Sequence, residues 1–329
     1  MTNVTISQKY ISHIVFLLQM KKITLQNNIL LFKPDYIINN YGFAISYLEK
    51  NLKIHYQADF KFHKQQLENE RVYSINRGEI FVNNQKPDMS LFEIASKMAK
   101  SVYPIIFRVN KDNELTSIEN YEDIRNRCNI TIRELSDYYD GKVANSIINC
   151  FKNQYSNSST LINQLQRDLF FELLFFPLHK EYTSKLTAET KCTFCFGSNK
   201  PIPFQLLHQI NPEYTSSGKV IVNLTSIGQT DENDIANTNM FEATYILYPE
   251  DHSIMSVTGK SIITNYKNIP ETIEFELYHL NAAQRNTKKN SLLLDATERT
   301  LNFNEKRGKI YIGEAEELPK RKGFWSFLD

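Results

Sequence analysis

Glycine and proline are scarce in this chain of 329 residues, with ten of each, together about half their usual share. The ten glycines are spread so thinly that neither a G-x-G-x-x-G nor a G-x-x-x-x-G-K-[ST] phosphate loop can be written. Charge of one sign is also missing. Lys and Arg number 38 against 37 Asp and Glu, a formal net charge of +1, which gives no whole-chain footprint for nucleic acid. Four cysteines are too few for a disulfide scaffold and fit a reducing cytosol. A membrane span needs about 20 apolar residues, and no window supplies them, so no integral membrane segment is expected. The apolar run Ile11–Leu18 contains His13 and leads into Gln19-Met20-Lys21-Lys22 with no small-residue cleavage site. It is therefore not read as a signal peptide. Met20 is an alternative start, which would make residues 1–19 an extension, and the expected location is cytoplasmic. No H-E-x-x-H, no G-x-S-x-G elbow and no S-x-x-K accompanied by its partner motifs appears.

What is present is a core-forming composition, 41% hydrophobic and 12% aromatic, which excludes a disordered chain. The 33 asparagines, with many Ile and Lys, read most simply as an A/T-rich coding bias. From Lys53 to His63, Ile54, Tyr56, Ala58, Phe60 and Phe62 alternate with polar residues, which predicts a strand with one buried and one wet face. Arg71–Val82 reads as a hairpin turning at Asn76-Arg77-Gly78. Ser90 and Glu93 have capping-box spacing and open a helix that stops before Pro104. Ile105–Ile118 is a second hairpin, with its turn at Asn110–Asn113.

From Tyr121 the period becomes helical. Ile124, Cys128, Leu135 and Tyr138 form one stripe, and Val143, Ile147, Cys150 or Phe151, and Gln154 a second. Leu161, Leu165, Leu169, Leu173 and Phe176 form a third, apolar on so many sides that it should be central. Strands return at Thr190–Phe196, Pro203–Gln209, Lys219–Ile227, Phe241–Tyr248, Ser253–Asn265 and Glu271–Leu280, with a tight turn at Pro249–His252 and a polar loop at Gln229–Asn239. Tyr245–Val257 has the layout of Phe107–Ile118, which leaves a duplicated β unit and a generic hairpin both open. The fold class is α+β, with antiparallel β segments flanking a three-helix middle, then a β-meander and a short tail. The regions are 1–120, an N-terminal α+β part; 121–184, helical; 185–281, β-rich; and 282–329, polar with a basic-aromatic end.

Candidate chemistry is thin. Cys192-Thr193-Phe194-Cys195 is a C-x-x-C, but strand-like flanks send residues three apart to opposite faces. A structural zinc would need two further ligands. Cys128 and Cys150 lie on apolar helix stripes and are read as packing. His55, Asp59 and His63 share a wet face, yet two histidines eight positions apart in a strand are about 26 Å apart. His179, near Asp168 and Glu172, is expected as a cation at a helix C-terminus. His208 is read as a core or edge histidine, His252 as a turn residue and His279 as a strand-end residue. Glu274 and Glu276 belong on a solvated face. No catalytic residue, cofactor or metal is assigned.

The tail carries the best lead. Lys320, Arg321 and Lys322 precede Phe324, Trp325, Phe327 and Leu328, a basic flank beside aromatic anchors. Such a segment docks on its own domain, on a partner protein, or peripherally on a membrane surface.

Three strings resemble uncharacterised Bacteroidota cytoplasmic proteins, some of which accompany contractile (type VI-like) secretion genes. They are Tyr103-Pro104-Ile105 followed by Tyr121-Glu122-Asp123-Ile124-Arg125, then Gln166-Arg167-Asp168-Leu169-Phe170-Phe171, and Phe176-Pro177-Leu178, with the later β-meander alongside. The resemblance covers roughly residues 45–285 and brings no catalytic residue with it. The β-meander surface, the absence of a recognisable catalytic set and the anchor-like tail point to a non-enzymatic binding or adaptor protein, accessory to secretion or assembly, that engages another protein through the tail or the β surface. The alternatives are a structural subunit of a larger assembly and an enzyme of unrecognised class, its site between the two β regions, using His179, His208 or the acidic pairs.

Overall fold

In this computed structural model, residues 21–32, 38–67, 70–86, 90–197, 201–227, 239–264, 269–280 and 310–311 are described. The expectations for residues 1–19, for most of the 229–239 loop and for the tail lie outside them.

The first strands are β1 (Ile38–Tyr47), β2 (Leu52–Leu67), β3 (Glu70–Arg77) and β4 (Phe81–Val82). Helix α1 (Ser90–Val102) leads to the hairpin β5 (Ile105–Asn110) and β6 (Leu115–Ile118). The middle region holds α2 (Tyr121–Tyr138), β7 (Tyr139–Asp140), α3 (Lys142–Gln154), α4 (Ser158–Leu165) and α5 (Leu169–Leu174). The meander follows as β8 (Thr187–Phe194), β9 (Ile202–Ile210), β10 (Val220–Ser226), β11 (Met240–Leu247), β12 (Ile254–Thr264) and β13 (Pro270–His279). A short β14 (Ile310–Tyr311) pairs in parallel with β7.

The long strands form one antiparallel sheet, ordered β6-β5-β3-β2-β1-β13-β12-β11-β10-β9-β8. The fold is therefore α+β, and the β1–β13 pairing makes the N-terminal and C-terminal β regions continuous. In register, Phe43 stands between Tyr56 and Leu277, and Ile45 between Ile54 and Phe275. These residues share one face, as period-two geometry requires. In β13, Ile273, Phe275 and Leu277 are buried while Glu274 and Glu276 are exposed, as the alternation predicted. The hairpins β5–β6 and β11–β12, alike in sequence layout, hold different places: one at the sheet's edge, the other inside it.

The sheet curls around α5. Phe170 meets Phe43 edge-on at 5.8 Å, and Phe175 meets Tyr73 and Phe107 at 5.4 and 5.6 Å. From the other half, Phe176 stacks on Phe194 at 5.9 Å, and the Tyr245 hydroxyl donates to the Leu173 carbonyl at 3.2 Å. The third apolar stripe is thus central, because rings face it from both halves of the sheet.

Three expectations need correction. The third stripe is two helices, since the Asp168 carboxylate accepts the Phe170 N–H at 2.9 Å and so caps a new start. Asn157 caps α4 in the same way, at 2.8 Å from the Thr160 N–H. The hairpin read at Arg71–Val82 does not form either. β3 and β4 both pair with β2, whose 16 residues are long enough for both. Finally, β1 was not foreseen. Its residues from Tyr41 to Ile45 are all buried, so a strand at the centre of the sheet has no wet face to mark its period.

Candidate functional site

The residues that looked site-like in sequence are held apart. The His55 ring stacks on Phe81 at 5.1 Å, while His63 Nε2 lies 2.9 Å from Ser74 Oγ. Each histidine of β2 has its own neighbour, and Asp59 between them is exposed. Among the described residues, no group of three His, Cys, Asp or Glu side chains is arranged to hold a metal.

His179 is not the helix-end cation expected. α5 stops at Leu174, so His179 lies beyond the reach of its dipole. Burial pushes its pKa down to about 4, leaving a neutral ring. Nε2 lies 3.0 Å from the His252 carbonyl, an acceptor only, so Nε2 carries the hydrogen. Nδ1 is then a bare acceptor, and it is buried without a partner. The ring lines a cavity of about 30 Å³ beside Phe32, Tyr41 and Phe175, room for about two water molecules. His208, fully buried, packs on Phe176 at 5.5 Å, and burial takes its pKa down to about 3. It is a core histidine. His252 sits in a turn, and His279 is bonded to the Tyr248 hydroxyl.

The C-x-x-C pair meets a carboxyl group from α5. The Cys195 N–H donates to both Glu172 oxygens, at 3.2 and 3.1 Å. Burial raises Glu172 to about 8, helped by Asp168. Burial, then the Glu172 charge, raises both thiols to about 12. Neither cysteine is disulfide-bonded, and thiols so protonated are poor nucleophiles.

One arginine–tyrosine grouping was missed in the sequence. Arg77 ends β3, and across the sheet it faces Ala58. Its strand neighbours Tyr73 and Ile75, on the same face, are buried, so a guanidinium occupies an inward position. The continued alternation Tyr73, Ile75, Arg77 was the available signal, and assigning Arg77 to a turn hid it. The Tyr103 ring, just past α1, lies 4.6 Å from the Arg77 Cζ, and the Tyr56 ring of β2 lies at 5.3 Å. Two such cation–π contacts contribute about 1 kcal/mol each at a half-buried site. Tyr47 of β1, Tyr155 after α3 and Asp168 before α5 complete the niche, all within electrostatic reach of one another or of Arg77.

The niche has unmet hydrogen-bonding capacity. Arg77 and Asp168 form no ion pair within 4.0 Å. The hydroxyls of Tyr47, Tyr103 and Tyr155 have no partner among the described residues, yet none is a buried orphan. These hydroxyls therefore reach space open to water. Burial pushes Tyr103 up to about 12, and Tyr47, Tyr56 and Tyr155 further. Burial also raises the Asp168 carboxyl, against the opposing pull of Arg77. The guanidinium stays charged at every ordinary pH. Its tyrosines and arginine exchange no proton near neutrality.

The fold and these side chains define an antiparallel α+β protein in which an arginine from the sheet packs against tyrosine rings. In comparisons with known proteins, no family model and no curated protein matches the chain. No helix among the described residues is long and apolar enough to cross a membrane.

Proposed function

We propose that this is a non-enzymatic binding or adaptor protein, accessory to the secretion or assembly of a larger complex. The observation that carries the reading is the state of its interior groups. Arg77 and its tyrosines do not titrate near neutrality, the Cys192 and Cys195 thiols are held protonated, and His179 and His208 are held neutral. Such groups favour holding over reacting. Exposed apolar side chains at one end of the meander, Ile227, Met240 and Ile269, favour a protein partner at the β surface. The resemblance to proteins that accompany contractile secretion genes supplies the accessory role. Lys320–Lys322 with Phe324, Trp325, Phe327 and Leu328 lie outside the described residues and enter the proposal on sequence alone.

The test is capture of partners by the full chain and by a chain lacking residues 320–329. The reading expects a specific partner with the full chain and weaker capture after the deletion. No partner at physiological concentration would count against the adaptor role, and equal capture would remove the tail from it. A second reading, an enzyme between the two β regions, has Glu172 in its favour, since a carboxyl raised to about 8 suits a general acid.

A further inference from the structure

We infer that the open edge of β8 pairs with the same edge of a second copy of this chain, antiparallel and two-fold about Thr190. The sheet ends in two edge strands, β6 and β8. β6 is shielded. It has four residues, its pairing with β5 is broken by a register shift at Arg108–Val109, and Gln166 at the end of α4 donates to the Leu115 carbonyl at 3.4 Å. β8 has eight residues, no proline and an unbroken register with β9. An edge of that kind is a template for a further strand.

The hydrogen bonds show which residues face outward. The Ile210 N–H donates to the Leu186 carbonyl at 2.9 Å, so even-numbered residues of this segment turn their backbone towards β9. Odd-numbered residues turn theirs away: the Thr187 carbonyl accepts the Thr183 N–H at 2.8 Å, and the Glu189 carbonyl accepts from Lys180 Nζ at 2.9 Å. The Glu189 N–H and both backbone groups of Lys191 and Thr193 have no partner among the described residues. A second copy must therefore match odd residues to odd. Centring the two-fold on Glu189 or on Lys191 would set like charges directly opposite, which is unfavourable. Centring it on Thr190 sets Glu189 opposite Lys191 of the second copy, and Lys191 opposite its Glu189, on the exposed face. Both are hydrogen-bonded positions, so about four backbone bonds join the copies. The Thr183 turn occupies Thr187 and confines the ladder to this stretch. Lys180 does not close it, because a carbonyl oxygen accepts two hydrogen bonds. The product is an isologous dimer with one sheet running through both copies.

Sedimentation velocity of the full chain over a wide range of concentration tests the pairing. A monomer–dimer equilibrium is expected. Glu189→Lys and Lys191→Glu, both at exposed positions, should each weaken it about tenfold. Mixed in equal amounts, the two variants should associate again, since every charge then meets its opposite. The double variant Glu189→Lys/Lys191→Glu should self-associate like the wild type. Lys191→Pro removes an N–H that β9 does not use, and should abolish the dimer with an unchanged circular dichroism spectrum. A strict monomer, a dimer unmoved by Lys191→Pro, or no recovery in the mixture would each overturn the inference. Dimerisation seen only after removal of residues 320–329 would give the edge to this chain's own tail, and would overturn it too. Self-pairing at β8 is independent of partner capture, so either can fail while the other stands.

Discussion

Replacing Glu172 by Gln isolates one buried charge. The folded chain holds the Glu172 proton up to about pH 8, against 4.5 for an ordinary glutamate, because burial penalises the carboxylate. A raised folded pKa means that this group's contribution is fully present below the unfolded value and is lost as pH rises towards the folded one. At about 1.4 kcal/mol per pKa unit, the wild type should lose about 2.5 kcal/mol from this group between about pH 5 and pH 7, and about 4 kcal/mol by about pH 9. Glutamine cannot ionise, keeps an oxygen to accept the Cys195 N–H, and carries a donor where the protonated acid has one. The Glu172→Gln chain should therefore match the wild type near pH 5 and outlast it increasingly above pH 6. Urea unfolding of both chains across this range, followed by far-UV circular dichroism, measures the difference. Parallel pH profiles would refute the burial argument, as would a uniform loss of stability in the variant.

On the acid side, His208 is held neutral down to about pH 3 against 6.5 unfolded. Its contribution is fully present above pH 6.5 and falls by up to about 1.4 kcal/mol per pH unit below it. His208→Gln should flatten the decline of the urea midpoint between about pH 6 and pH 4; an unaltered slope would show that His208 does not titrate there. Two glycines should respond differently to alanine. At Gly259 a Cβ would meet the Phe275 ring at 2.4 Å and the Glu242 carbonyl oxygen at 2.7 Å. Phe275 is buried, so the cost should be about 1–3 kcal/mol. At Gly42 the nearest atoms to the new methyl are at the outer end of Tyr278, at 2.6 Å. That side chain is exposed and can swing aside, so Gly42→Ala should cost less. Thermal unfolding compares the two, and equal losses would contradict the packing argument.

Much of the scaffold was legible locally. β2 shows its alternation, α1 its spacing and stop before proline, and the six meander strands fall within a few residues of their expected ends. The third stripe was rightly central, because a segment apolar on several sides must be covered on several sides. β1 was invisible for the complementary reason: with both faces buried, it has no polar period. The partner choice of β3 and β4 was equally hidden, since a turn signal at Asn76–Gly78 cannot show that β2 is long enough to take both.

By itself, the sequence determined the α+β class, the alternating faces of β2 and β13, and the lack of a phosphate loop or net charge for nucleic acid. These follow from residue type and spacing along the chain. The tertiary structure alone decided that β1 and β13 join the two β regions and that His179 is a neutral ring on a cavity. It also brought Arg77, four tyrosines and Asp168, spread from residue 47 to residue 168, within electrostatic reach of one another. Desolvation and the meeting of distant charges depend on what is packed against what, and no local pattern encodes that.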